Sequence, residues 1–164
     1  MINKDFYLAS FKEVEHMLAP FDLGRQDLEV AVGEYYNSMF IKLYKKAWAN
    51  PSDNLLTSPS RIFFSVWIDT EDTGKLCYNI HALKLRHLKG YKLESRKFAD
   101  VFRTEFRPFE KQWPNVSTKF GPLTLMQGNI PITQKEIKPE SLKLCKSFLN
   151  IQHLIDDTLA KCQR

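Results

Sequence analysis

The segment from Arg61 to Leu83 limits the fold more than any other part of the chain. Ile62, Phe64, Val66 and Ile68 alternate with Phe63, Ser65 and Trp67. A period of two is the pattern of a strand with two distinct faces. TEDTG, from Thr70 to Gly74, has turn composition. Lys75 to Leu83 then reads as the returning strand. Leu76, Tyr78 and Ile80 share one face; Cys77, Asn79 and His81 share the other. The first strand presents a wholly apolar face. A lone two-stranded ribbon is marginal in water, so that face must be covered by other elements.

Helical spacing supplies the covering elements. Tyr7, Phe11, Val14 and Leu18 lie on one face of a helix expected over Lys4–Leu18, with Asn3 as N-cap and Pro20 as the stop. Leu28, Val32, Tyr35, Met39 and Leu43 form a second stripe, widened by Tyr36, Phe40 and Ala47. It predicts a long helix over Arg25–Ala49. Gly33 inside that helix would cost about 1 kcal/mol relative to Ala. Asn50–Ser60 has loop composition. Phe98, Phe102, Phe106 and Phe109 predict a third helix from Ser95, the expected N-cap. Leu123–Thr133 reads as a second hairpin about Gly128-Asn129, with Pro131 confining its last strand to an edge. A last helix is expected from Pro139 to Ala160.

The expected order is therefore ααββαββα. This is an α+β fold in a single domain over residues 1–164, with a mostly antiparallel sheet of about four strands and helices packed against it. It divides into an N-terminal helical pair (4–49) and a β-containing remainder (61–164). A chain of 164 residues with twelve Phe is large enough for a core without disulfides or metals. Cys77, Cys145 and Cys162 form no C-x-x-C pair, which fits reduced thiols in the cytoplasm. The first residues contain no continuous apolar stretch of the signal-peptide kind, and no run is long enough for a membrane span.

Catalytic signatures are absent. There is no G-x-G-x-x-G, Walker loop or G-x-S-x-G, and no Cys/His group has metal-ligand spacing. No cofactor or metal is expected, and the reading leans away from an enzyme. What stands out is charge. From His81 to Lys119 ten Lys or Arg face four acids, an excess of six. The whole chain carries +5, so everything else nets −1. Such concentration creates a local potential. The expectation is a non-catalytic binding module with a basic surface over residues 84–107, formed by Lys84, Arg86, Lys89, Lys92, Arg96, Arg103 and Arg107. Its ligand would be anionic, or a nucleic acid with Tyr91 and Trp113 as stacking groups. The alternative is a small-molecule pocket or pocket enzyme centred on Trp67, Asn79 and His81, closed by a Tyr of the second helix. A homodimer, through a long helix or the strand near Pro131, is compatible with the pattern but not derivable from it.

Overall fold

Alternating residues build the centre of the molecule as expected. Ile62–Asp69 and Asp72–Ala82 pair antiparallel, with Ile62, Phe64, Val66 and Ile68 buried on one face. The computed structural model describes residues 3–51 and 62–162. Its strands are β1 (Leu28–Tyr35), β2 (Ser38–Lys45), β3 (Ile62–Asp69), β4 (Asp72–Ala82) and β5 (Thr124–Pro131). Its helices are α1 (Lys4–Met17), α2 (Ser95–Phe106), α3 (Ile137–Ile151) and α4 (His153–Cys162). The fold is α+β. Five strands, rather than about four, form an antiparallel sheet in the order β1-β2-β3-β4-β5.

Two expectations are overturned. The helix expected over Arg25–Ala49 is instead the hairpin β1–β2, turning at Tyr36 and Asn37. The helical stripe was a coincidence of spacing. Val30, Val32, Ile41 and Leu43 also alternate, and β-branched residues favour strands. In the sheet each of these residues reaches the same apolar layer, so tertiary burial outweighs local spacing. The N-terminal helical pair does not exist, and residues 28–45 belong to the common sheet. Likewise Leu123–Thr133 is not a hairpin but one strand, β5. Gly128 lies mid-strand opposite Tyr78. A Cβ there would collide with the Tyr78 ring and hydroxyl and lie 2.9 Å from the Pro114 carbonyl oxygen. Glycine is thus required for a close approach, not for a turn. The expected loop Asn50–Ser60 lies, from residue 52 onward, outside the described residues.

One face of the sheet carries the core. On it lie Leu28, Met39, Ile41, Leu43, Phe64, Val66, Tyr78, Ile80 and Met126. Helix α1 covers β1 and β2, and α3 covers β3 and β4 while packing on α1. Helix α2 lies against β5 and α4. The expected stripes are the buried ones: Tyr7, Phe11 and Val14 of α1, with Phe98, Phe102 and Phe106 of α2. Each large side chain of this kind contributes roughly 1.5–3 kcal/mol on burial. Phe148 stacks on Phe64 at 4.6 Å, and the Trp113 ring lies 5.8 Å from Phe64 and 5.2 Å from Tyr78. These aromatics join α3, the sheet and the exit of α2 in one continuous core.

Helix starts fall within a residue or two of those expected. The Asn3 side chain accepts from the Phe6 amide at 3.2 Å, as expected. Glu94, not Ser95, is the N-cap of α2, and its side chain makes no capping bond. The last helix starts at Ile137, after a Thr133–Glu136 capping box, and is offset at Gln152. Among the described residues, no helix is long and apolar enough to cross a membrane.

Candidate functional site

The basic connector runs from the end of β4 to the start of α2. Leu85, Leu88 and Leu93 are buried and anchor it to the core. The residues between them are turned outward, which leaves Arg86, Lys89 and Lys92 exposed. Asn50 clamps the bend from both sides. Its amide donates to the His87 carbonyl at 2.7 Å, and its oxygen accepts from the Lys89 amide at 2.8 Å. Lys84 adopts a left-handed conformation at φ 47° and is exposed at the start of the connector.

Of the seven basic residues, only Arg86 and Lys92 line a common groove. Arg86 and Lys92 converge with Tyr91, Leu93 and Glu94 on a groove of about 320 Å³. Arg96 follows in the first turn of α2, and that turn contains no acid. Positive side chains at a helix N-terminus oppose the macrodipole, by about 0.3–1 kcal/mol each. Arg107 sits eleven residues beyond Arg96, about 16 Å along the helix axis. It is therefore at the opposite end from the groove.

Arg103 is drawn inward. Its Nε donates to the Leu125 carbonyl at 3.1 Å. Its Nη2 lies 3.1 Å from the carbonyl oxygen of Phe120, 3.0 Å from that of Gly121 and 2.8 Å from that of Thr124. Burial depresses its pKa, and nearby Asp100 offsets part of that effect. This guanidinium closes the loop that leads into β5 through its Nε and Nη2 donors.

Behind the connector, the second face of the sheet bears a polar row. Lys42, Ser65, Asn79 and Gln127 are paired in register across β2, β3, β4 and β5. Ser65 Oγ donates to Asn79 Oδ1 at 2.9 Å. Asn79 Nδ2 donates to Gln127 Oε1 at 3.2 Å and contacts His81 Nε2 at 2.9 Å. An amide can only donate to that nitrogen, so Nε2 is the acceptor. The ring proton then resides on Nδ1, which lies 3.3 Å from the Leu123 carbonyl oxygen. Burial is the main cause that lowers the His81 pKa; the Leu123 carbonyl opposes it and the Lys42 charge adds to it. The Lys42 ammonium rests over the Phe40 and Phe63 rings at 4.6 and 4.3 Å.

Of the three residues of the alternative pocket, Asn79 and His81 are in direct contact. Trp67 is one row away, opposite Phe40 and Cys77. The second helix that was to supply a Tyr does not form; Tyr35 and Tyr44 lie on β1 and β2 instead. Cys77 shares this face, but burial pushes its thiol pKa up, away from the thiolate. Sequence reasoning placed Ser65 on this face with Trp67, Asn79 and His81, but missed Lys42 and Gln127 as members of the row. The period-two alternation of SMFIKLYK was the signal that would have put Lys42 there. Among the described residues no cluster of metal-ligating side chains forms. No protein-family model, curated protein or solved structure matches this chain.

Proposed function

We propose that the protein is a non-catalytic binding module that receives an anionic group, of the phosphate type, in the groove beside the start of α2. The observation that carries this reading is the convergence of Arg86 and Lys92 on one groove at a helix N-terminus without a side-chain cap. Unpaired N–H groups, the macrodipole and two cations favour negative charge there, against the single carboxylate of Glu94 that also lines the groove. Arg96 lies in the same turn and adds to the field. Tyr91 offers a ring against which an attached base or other flat group stacks. Lys84 and Lys89, exposed on the same connector, extend the positive field for a nucleic acid. Arg103 is not part of this site, and Arg107 is too distant to share a small ligand.

Catalysis at the polar sheet face is less well supported. Both nitrogens of His81 have partners, and Asn79 uses its oxygen and its amide within the row. A general base needs a free nitrogen within reach of a substrate proton. The unpaired thiols of Cys77, Cys145 and Cys162 fit a reducing, cytoplasmic setting.

The test uses a fluorescein-labelled single-stranded oligonucleotide in anisotropy titrations, with pyrophosphate as the small competitor. Arg86→Ala/Lys92→Ala should weaken whichever probe binds by roughly a hundredfold, about tenfold for each cation removed. Displacement of the oligonucleotide by pyrophosphate identifies a small-anion site. Steep salt dependence without such displacement identifies an extended nucleic-acid surface. If the double variant binds as the wild type does, the groove is not the site.

A further inference from the structure

The two edges of the sheet are treated very differently. The β5 edge is occupied. Ser117 and Gln127 exchange backbone hydrogen bonds at 2.8 and 3.0 Å, and the Asn115 side chain donates to the Asn129 carbonyl at 2.9 Å. Pro131 closes this edge with a residue that has no N–H. The opposite edge, β1, is regular over Leu28–Tyr35 and pairs residue for residue with β2. Among the described residues no backbone hydrogen bond reaches its outer side. It contains no proline or lysine, and its central residues Val30, Ala31, Val32 and Gly33 are half-buried. Long, regular, apolar edges are those that proteins normally protect.

We propose that β1 is the interface of a symmetric homodimer, in which β1 of a second copy adds antiparallel and continues the sheet across a two-fold axis. The register follows from the hairpin. In a two-residue loop the flanking pair, Tyr35 and Ser38, exchanges hydrogen bonds, and the pattern alternates from there. Glu29, Ala31, Gly33 and Tyr35 therefore direct their backbone groups to β2. Leu28, Val30, Val32 and Glu34 direct theirs outward. This outward set is symmetric about Ala31. Placing the axis at Ala31 sets Val30 against Val32 of the second copy and Leu28 against its Glu34. Every outward N–H and C=O of the strand then has a partner. Glu29 faces Gly33 of the second copy, so no carboxylates oppose each other. Each carboxylate also has a cation of its own, Lys46 for Glu29 at 3.5 Å and Lys4 for Glu34 at 3.6 Å.

The ends of the strand fit the same operation. The hairpin tip displays Tyr35 and Tyr36, 51% and 82% exposed and in edge-on contact at 4.4 Å. Tyr36 holds φ 52°, a conformation that costs a non-glycine residue about 1–3 kcal/mol. At the other end of β1, Gly24, Asp27, Leu28, Glu29, Lys45 and Asp156 are among the residues lining an open groove of about 560 Å³. With the axis at Ala31, Tyr35 of one copy comes opposite Asp27 of the other. Each tyrosine pair thus falls beside the partner's groove. One axis accounts for the open edge, the strained exposed aromatics and the groove. Two-fold dimers are the commonest symmetric assemblies.

Sedimentation of the full chain over a concentration series should show a monomer–dimer equilibrium. Val32→Pro removes an outward N–H without touching the pairing with β2, and should raise the dissociation constant by tenfold or more, roughly, while circular dichroism stays that of a folded protein. Ala31 meets itself across the axis in a non-hydrogen-bonded pair, where Cα atoms lie about 4.5 Å apart, within disulfide reach. Ala31→Cys should therefore cross-link the dimer under oxidised glutathione, whereas Glu29→Cys and the wild type should not. A monomer at every concentration, or a dimer that survives Val32→Pro and fails to cross-link through Ala31→Cys, overturns the proposal. Neither outcome depends on the anion groove.

Discussion

Arg103→Met is the substitution whose effect follows most directly from the structure. Arg103 gathers carbonyl oxygens of Phe120, Gly121, Thr124 and Leu125, four acceptors spread over the approach to β5. The bonds to Phe120 and Gly121 are exposed, so water replaces them at little cost. Those to Thr124 and Leu125 are partly buried and leave acceptors poorly served. At about 1–2 kcal/mol for each such acceptor, the loss is about 2–4 kcal/mol. Methionine retains most of the aliphatic packing, so the loss reports the guanidinium itself. Equilibrium urea unfolding should show a lower midpoint with an unchanged slope. Arg103→Lys should recover less than half of the loss, because one ammonium cannot span the fork. Destabilisation below about 1 kcal/mol would show that the loop closes without this residue.

Other perturbations probe other parts of the molecule. Gly128→Ala should destabilise by about 1–3 kcal/mol through overpacking against Tyr78 and the Pro114 carbonyl, measured in the same assay. His81 should titrate below the ordinary 6.5 by NMR, because burial favours its neutral form. The unfolded chain then takes up the proton first. Its contribution to stability is complete above about pH 6.5 and declines as pH falls from there to the folded-state pKa. Tyr36→Asn should raise the melting temperature of the dilute monomer, by roughly 1 kcal/mol of relieved strain, and weaken self-association in sedimentation.

How much the sequence disclosed depended on whether local pattern and tertiary burial agreed. They agreed at Ile62–Ile68, where alternation admits only a strand, and along the Phe98–Phe106 stripe, where spacing admits only a helix. They disagreed at Leu28–Leu43. Its apolar residues satisfy both periods, and the turn at Tyr36-Asn37 lacks the glycine that usually announces a hairpin. Gly128-Asn129 misled in the opposite sense. The glycine accommodates an aromatic ring from β4, fifty residues earlier in the chain. The concentration of positive charge was legible by counting, but its division was not. The carbonyl partners that take Arg103 inward lie 17 to 22 residues away from it. Lys42 was hidden from the polar row by the same misread helix.

Whether the groove beside α2 binds an anion is decided by an ¹⁵N-resolved NMR titration with pyrophosphate. If it does, the largest shifts fall on the amides of Arg86 and of Tyr91–Lys97, with saturation, and Arg86→Ala/Lys92→Ala abolishes them. Shifts centred instead on Ser65, Asn79 and His81 would refute the groove and move the binding site to the polar face of the sheet.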